Sequence, residues 1–171
     1  MIIEKLNKLH NRTNFDCGYE SLNRYLKELS FQHQNKDIGV TYVLFESDCD
    51  NTILGYYTLI SSSVNSNIFP VSHPKHYEVP SLLIGRLAVD KSMHGKHVGE
   101  FVLFNALSKA IDSANSIGIR IVVVDAIDIS VKSFYERYGF KELSDDPLHL
   151  YITVKELRAM FARINLASNP K

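Results

Sequence analysis

Apolar side chains in FDCGYESLNRYLKELS, residues 15–30, fall at Leu22, Tyr25, Leu26 and Leu29. Spacings of three and four place them on one face of a helix, and Asp16 stands where its N-cap is expected. The period then changes. TYVLFES (41–47) and TILGYYTLISSSV (52–64) read as strands, joined by a hairpin-like turn at DCDN (48–51). The stretch 65–80 holds three of the five prolines and reads as a loop, and LLIGRLAVD (82–90) as a third strand.

Helical spacing returns at Leu103, Ala106, Leu107, Ala110, Ile111 and Ala114, and is broken from Asn115 to Gly118. IRIVVVDAI (119–127) is β-branched and almost wholly apolar, as in a strand covered on both faces. SVKSFYERYGF (130–140) predicts a short helix ended by Gly139. LHLYITV (148–154) predicts a last strand, and Leu157, Met160, Phe161 and Ile164 stripe a final helix. The order predicts a mixed α/β (α+β) fold, one domain over residues 1–166 with a loose tail at 167–171.

Composition narrows the class. A chain of 171 residues, 45% apolar and 22% charged, has the make-up of one soluble globular domain. Nineteen basic residues balance nineteen acidic ones, so this is not a protein that coats nucleic acid by bulk charge. A local basic patch is compatible with that balance: from Tyr151 onward Lys155, Arg158, Arg163 and Lys171 face one acid, Glu156. Cys17 and Cys49 make no disulfide framework and fit a reducing cytosol. MIIEKLNKLHNR lacks the features of a signal peptide, and no run approaches a membrane span, so a cytoplasmic protein without a membrane partner is expected.

The chemistry concentrates in SMHGKHVGE, residues 92–100, which stands between a strand and a helix. Backbone N–H groups at a helix N-terminus carry about half a positive charge and accept a pyrophosphate without special side chains. Gly95 and Gly99 permit close approach. His97 adds a Cβ, harmless if the residue keeps an ordinary helical φ, and Lys96 or a protonated His94 or His97 can add a phosphate contact. The bland alternative is a connection with accidental glycines. A metal is a poorer alternative, since His94 with His97, and His73 with His76, give two ligands where zinc wants three or four. No metal is expected.

The strand GRLAVD, the loop His94-Gly95-Lys96-His97-Val98-Gly99 and the segment DISVKSFYERYGF (128–140) together resemble the GNAT N-acetyltransferase family. That family has Arg/Gln-x-x-Gly-x-Gly/Ala in its loop, then Asn-x-x-Ala-x-x-Phe-Tyr followed by Gly-Phe. Here His94 stands for Arg/Gln, His97 for the first glycine, Asp128 for Asn and Val131 for Ala. FDCGYESLNRYL, ILGYYTLISSSV, IGRLAVD, VVVDAID and LYITVKELRAMF are similar to the toxin branch of the TacT, KacT and AtaT type.

The resemblance implies a mostly antiparallel central sheet flanked by helices and split at an acetyl-CoA site. It implies acetyl transfer from acetyl-CoA to a primary amine, in that branch the α-amino group of aminoacyl-tRNA, which stops translation. An antitoxin partner and a homodimer follow from it. It places Leu87, Ala88, Val89, residues 94–99 and Asp128 against acetyl-CoA. It gives the Val89 amide to the oxyanion, and it makes Tyr135 the acid that protonates the leaving thiolate. A phenol of pKa about 10 can serve a thiolate whose conjugate acid is near 8.5; on helix spacing alone Tyr135 is a packed aromatic beside Phe134. No side chain stands out as general base, with Glu46, His76 or a water chain as candidates. An α-amino group of pKa about 7.7–8.0 suits such a site better than a lysine. Arg86, among apolar strand residues, is expected to pair with Asp125 or Asp128, or to bind an anionic acceptor. Two other functions fit the same residues: acetylation of a small amine or a protein N-terminus, and a non-catalytic acyl-CoA-binding or partner-binding module.

Overall fold

A computed structural model describes residues 1–46, 51–74 and 76–168. Cys49, nearly all of the expected turn at 48–51, and 169–171 of the expected tail, Lys171 included, lie outside the described residues. The chain packs as two compact units. The first is built from Met1–Ile60 and Ile84–Ala106, the second from the rest of the described residues.

The first unit opens with β1 (Ile2–Lys5), which pairs antiparallel with β2 (Val40–Phe45), Ile2 facing Phe45. β2 pairs antiparallel in turn with β3 (Ile53–Val64), with an irregularity between Leu44 and Phe45. The buried hydroxyls of Thr41 and Thr58 meet across this pair at 2.9 Å. Between β1 and β2 the chain is helical from residue 20 to 35, as α1 (Glu20–Arg24), a π turn (Tyr25–Leu29) and α2 (Ser30–Asn35). The Ser30 hydroxyl bonds the Leu26 carbonyl at 2.6 Å, the back-bond that loosens a helical ladder. The predicted stripe lands as expected: Tyr25 and Leu26 are buried with Leu6, Phe15, Val43, Phe45, Ile53, Tyr56 and Ala88, and Leu22 and Leu29 pack against them. Asp16 is not the cap. The helix starts from Tyr19 with no side-chain cap, because the Asp16 carboxylate is taken by the Gly18 amide and by Asn23 and Lys91.

The strand predicted at 82–90 is longer: β4 runs from Val79 to Val89. After a 3-10 turn (Lys91–Met93) comes α3 (Val98–Ser116), whose Val102, Leu103, Ala106, Leu107 and Ala110 are fully buried.

The second unit adds β5 (Ile121–Asp125), α4 (Ile129–Glu136), β6 (Lys141–Glu142), β7 (His149–Thr153) and α5 (Val154–Ser168). β7 pairs antiparallel with β5 on one side and β6 on the other. Val64, Phe69, Val79, Ile121, Val123, Leu143 and Tyr151 form its core. Thr153 and Glu156 cap α5 reciprocally: Glu156 N–H donates to the threonine hydroxyl oxygen at 3.1 Å, and Thr153 N–H to the carboxylate at 3.0 Å. Among the described residues the strands form one seven-stranded, mostly antiparallel sheet in the order β1-β2-β3-β4-β5-β7-β6. This is the mixed α/β class that the element order predicted.

Candidate functional site

β4 delivers the chain to the loop. Leu87 and Val89 are half-buried and Ala88 is buried. The peptide between Val89 and Asp90 is held at both ends. The Asp90 N–H donates to the Leu54 carbonyl at 2.9 Å, and His94 Nε2 lies 2.9 Å from the Val89 carbonyl oxygen, to which it donates. Asp90 then organises the turn. Its carboxylate accepts from the Ser92 amide and hydroxyl at 2.9 and 2.7 Å and from the Asp16 amide at 2.9 Å. Asp16 answers through its own carboxylate, which accepts from Lys91 Nζ at 2.8 Å. The Lys91 ammonium, with the Gly18 amide and Asn23, holds the Asp16 carboxyl far below the usual carboxylate range. Burial disfavours the Asp90 anion, but the Asp16 and Ser92 donors outweigh it and its pKa is lowered.

Past His94 the chain turns through two residues of positive φ. Gly95 has φ +73°, and a Cβ placed there meets nothing within 4 Å. His97 has φ +58°, so the condition under which its Cβ would be harmless, an ordinary helical φ, is not met. The chain needs a left-handed step to enter α3, and this is the position where the GNAT pattern carries glycine. Histidine tolerates the region better than most residues, at about 1–2 kcal/mol. Its ring is 89% exposed, with Nδ1 3.4 Å from a Glu100 carboxylate oxygen. Gly95, Lys96 and His94 are exposed as well. The first N–H groups of any helix lack an intrahelical acceptor, and here the Phe101 N–H is the first to close, on the His97 carbonyl at 3.2 Å. Among the described residues the amides of Val98, Gly99 and Glu100 have no acceptor outside the helix, which leaves them to an anion, beside a turn at Gly95 that a Cβ does not crowd.

Arg86 departs from expectation. It is exposed, and among the described residues no carboxylate takes it. Its guanidinium lies over the Tyr25 ring, Cζ 5.0 Å from the centroid, and Nη1 donates to the Gly85 carbonyl. On the exposed face the charge stays hydrated and needs no buried counter-ion.

In the second unit Asp128 is the N-cap of α4, its Oδ1 accepting from the Val131 amide at 2.9 Å. One oxygen of the residue assigned to the donor substrate is thus already used by the helix. Two turns on, Tyr135 is 4% exposed, its ring 5.3 Å from those of Phe134 and Phe140. Burial alone pushes its phenol well above the ordinary value. Among the described residues its hydroxyl has no hydrogen-bond partner, unlike Tyr56 and Tyr57, whose hydroxyls donate to the Leu22 carbonyl at 2.8 Å and Asn105 at 2.6 Å. An aromatic kept for packing alone would more economically be phenylalanine.

His73 is engaged by Arg120, 3.2 Å from its Nδ1, and by the Glu78 carbonyl. Among the described residues no three His, Cys, Asp or Glu side chains gather as a metal ion requires, and no helix is long and apolar enough to cross a membrane. Sequence reasoning missed the roles of Asp90, Lys91 and Asn23. Asp90-Lys91-Ser92 carries the Asx-turn signature that could have revealed the first of these.

No protein-family model matches the chain. Over 150 residues, 86% of this chain and 89% of the relative, it is 31% identical to a Mycobacterium tuberculosis protein named tRNA-acetylating toxin. The structure of AtaT complexed with acetyl-methionyl-tRNAfMet matches with a TM-score of 0.87 and 27% identity, covering 94% of this chain and 98% of that one. A Tyr-to-Phe variant of AtaT, bound to the C-terminus of the antitoxin AtaR and acetyl-CoA, matches with a TM-score of 0.76 and 29% identity, covering 94% and 97%.

Proposed function

We propose that this chain, which belongs to the GNAT-type family of tRNA-acetylating toxins, transfers the acetyl group of acetyl-CoA to the α-amino group of an aminoacyl-tRNA. The observation that carries the reading is the likeness over nearly the whole length to a tRNA-acetylating toxin. The free amides at the start of α3 and the unpartnered hydroxyl of Tyr135 supply the chemistry it needs.

The amides from Gly95 into the first turn of α3 hold the pyrophosphate of acetyl-CoA, that of His94 being taken by the Lys91 carbonyl at 3.2 Å, with Lys96 and His97 available in solvent beside them. Leu87, Ala88 and Asp128 line the donor. The Val89 amide, at the end of a strand fixed by its neighbours, donates to the acetyl oxygen as it becomes an oxyanion. The neutral amine attacks the acetyl carbon, the N–C bond forms, and the C–S bond breaks. Tyr135 gives its proton to the departing sulfur, and the ammonium so formed loses one to water. Burial raises the phenol further above the pKa of a free thiol, but it raises a thiol enclosed with it in the same way, so the transfer stays feasible. The absence of a dedicated base suits an α-amino group, a fair fraction of which is neutral at pH 7.

The reading includes an antitoxin protein as partner, a homodimer, a cytoplasmic location, and one working domain over residues 1–166. Its test is transfer of labelled acetyl from acetyl-CoA to bulk charged tRNA, with deacylated tRNA alongside. Label on the charged pool alone is expected. Label on neither pool, from a protein that binds acetyl-CoA, overturns the aminoacyl-tRNA acceptor.

A further inference from the structure

Arg86 is a cation of the first unit that, among the described residues, no carboxylate holds. Arg24 pairs with Glu28 at 2.9 Å and Lys91 with Asp16 at 2.8 Å, whereas Arg86 is stacked and not paired. Its support is rigid. The Tyr25 ring beneath it is itself stacked on Tyr56 at 6.3 Å and 15° and abuts His33 edge-on at 5.6 Å. Tyr56 is tied by its hydroxyl to the Leu22 carbonyl. One face of the guanidinium is covered by an aromatic ring, Nη1 donates to the Gly85 carbonyl, and the remaining N–H donors belong to an exposed side chain. A guanidinium pre-placed in this way loses little freedom on gripping two oxygens of one phosphate. A π turn, here the one bearing Tyr25, commonly marks a functional position.

Place along the strand decides which phosphate. Arg86 precedes Val89 by three residues, about 10 Å at a strand's rise. The loop 94–99 follows Val89. The amide that receives the acetyl oxygen thus stands between the loop that takes the donor's pyrophosphate and Arg86, on the side left to the acceptor.

We propose that Arg86, seated on Tyr25, binds a backbone phosphate of the single-stranded end of the acceptor nucleic acid. The inference rests on the acetyltransferase reading above for its acceptor, and it adds an anion seat to that reading.

The experiment compares wild type with Arg86→Gln and Arg86→Lys in kcat/KM for charged tRNA across a salt series, in acetyl-CoA affinity, and in equilibrium binding of deacylated tRNA over the same series. Loss of one phosphate contact to a single strand lowers the slope of log affinity against log salt by about 0.7. For Arg86→Gln that decrease is expected with a loss of about tenfold in kcat/KM at low salt and unchanged acetyl-CoA affinity. Arg86→Lys should keep the slope and recover part of the loss, because it restores charge without the fork. An unaltered slope in Arg86→Gln, or a parallel loss of acetyl-CoA affinity, overturns the proposal. If wild type acetylates no tRNA, the binding series still decides for or against the anion seat, while the acetylation assay alone decides against the function.

Discussion

His94 reaches back across five residues to hold the carbonyl of Val89 at 2.9 Å. The side chain at the start of the loop 94–99 thereby fixes the end of β4, which under the proposed function faces the acetyl oxygen. Removing it leaves the Val89–Asp90 peptide secured only through its N–H. His94→Ala should lower kcat about tenfold, with CoA affinity changed less than twofold. His94→Gln, which keeps a donor, should recover most of the rate. If CoA affinity falls as far as kcat, His94 is a phosphate ligand and not a brace.

Tyr135→Phe deletes a hydroxyl that has no hydrogen-bond partner among the described residues. General-acid assistance is worth about 10²–10⁴ in rate, so kcat should fall within that range while acetyl-CoA affinity holds. Stability should stay within about 1 kcal/mol of wild type, since no hydrogen bond is lost. Urea midpoints and isothermal titration check both halves.

The pH dependence follows from the same residue. A phenol pushed up by burial remains protonated well past pH 9, so it sets no alkaline limb there. The rate should rise with pH as the acceptor's α-ammonium deprotonates, around pH 7.7–8.0 by its reference value of about that range, and then level. A bell with a descending limb below pH 9 would count against Tyr135 as the acid.

His97 pays for its left-handed φ in strain. His97→Gly removes about 1–2 kcal/mol of that strain and returns about 0.4–1 through the freer unfolded chain, a small net gain. His97→Val should lose 1 kcal/mol or more, taking about that amount as typical of a β-branched residue at positive φ. Chemical denaturation of the three proteins orders them.

Asp16 and Asp90 both have depressed pKa values. The sign is that of a carboxylate favoured in the folded state. Their stabilisation is complete above the unfolded value of about 3.9 and is lost as pH falls through the lower folded values. Asp16→Asn should flatten the acid limb of stability and raise the KM for acetyl-CoA severalfold, measured by acid-titrated fluorescence and by steady-state kinetics.

Much of the fold was legible because burial imposes a period. The stripe at Leu103, Ala106, Leu107 and Ala110 and the run Ile121–Val124 sit where the pattern put them, all but wholly buried. β1 was not legible: Ile2, Glu4 and Lys5 are exposed, with only Ile3 half-buried, so pairing and not burial defines it. β6, two residues long, carries no period at all. At the site, the glycine-bearing loop and the aromatic pair at 134–135 could be found by their spacing. The contacts that position them could not, because they are tertiary. Asp16 reads as a cap in its own neighbourhood and serves Lys91 instead. Arg86 reads as a charge in need of an acid and rests on a ring.

The bond from the Asp16 amide to Asp90 spans 74 residues of sequence. Such a closure forms late relative to local helices, yet both of its ends have been synthesised once the first hundred residues are out. Tyr135 has not. During its own synthesis the chain therefore holds both partners of the Asp16–Asp90 turn before it holds the Tyr135 hydroxyl. The order of the residues along the chain thus separates in time the brace at Asp90 from the hydroxyl at Tyr135.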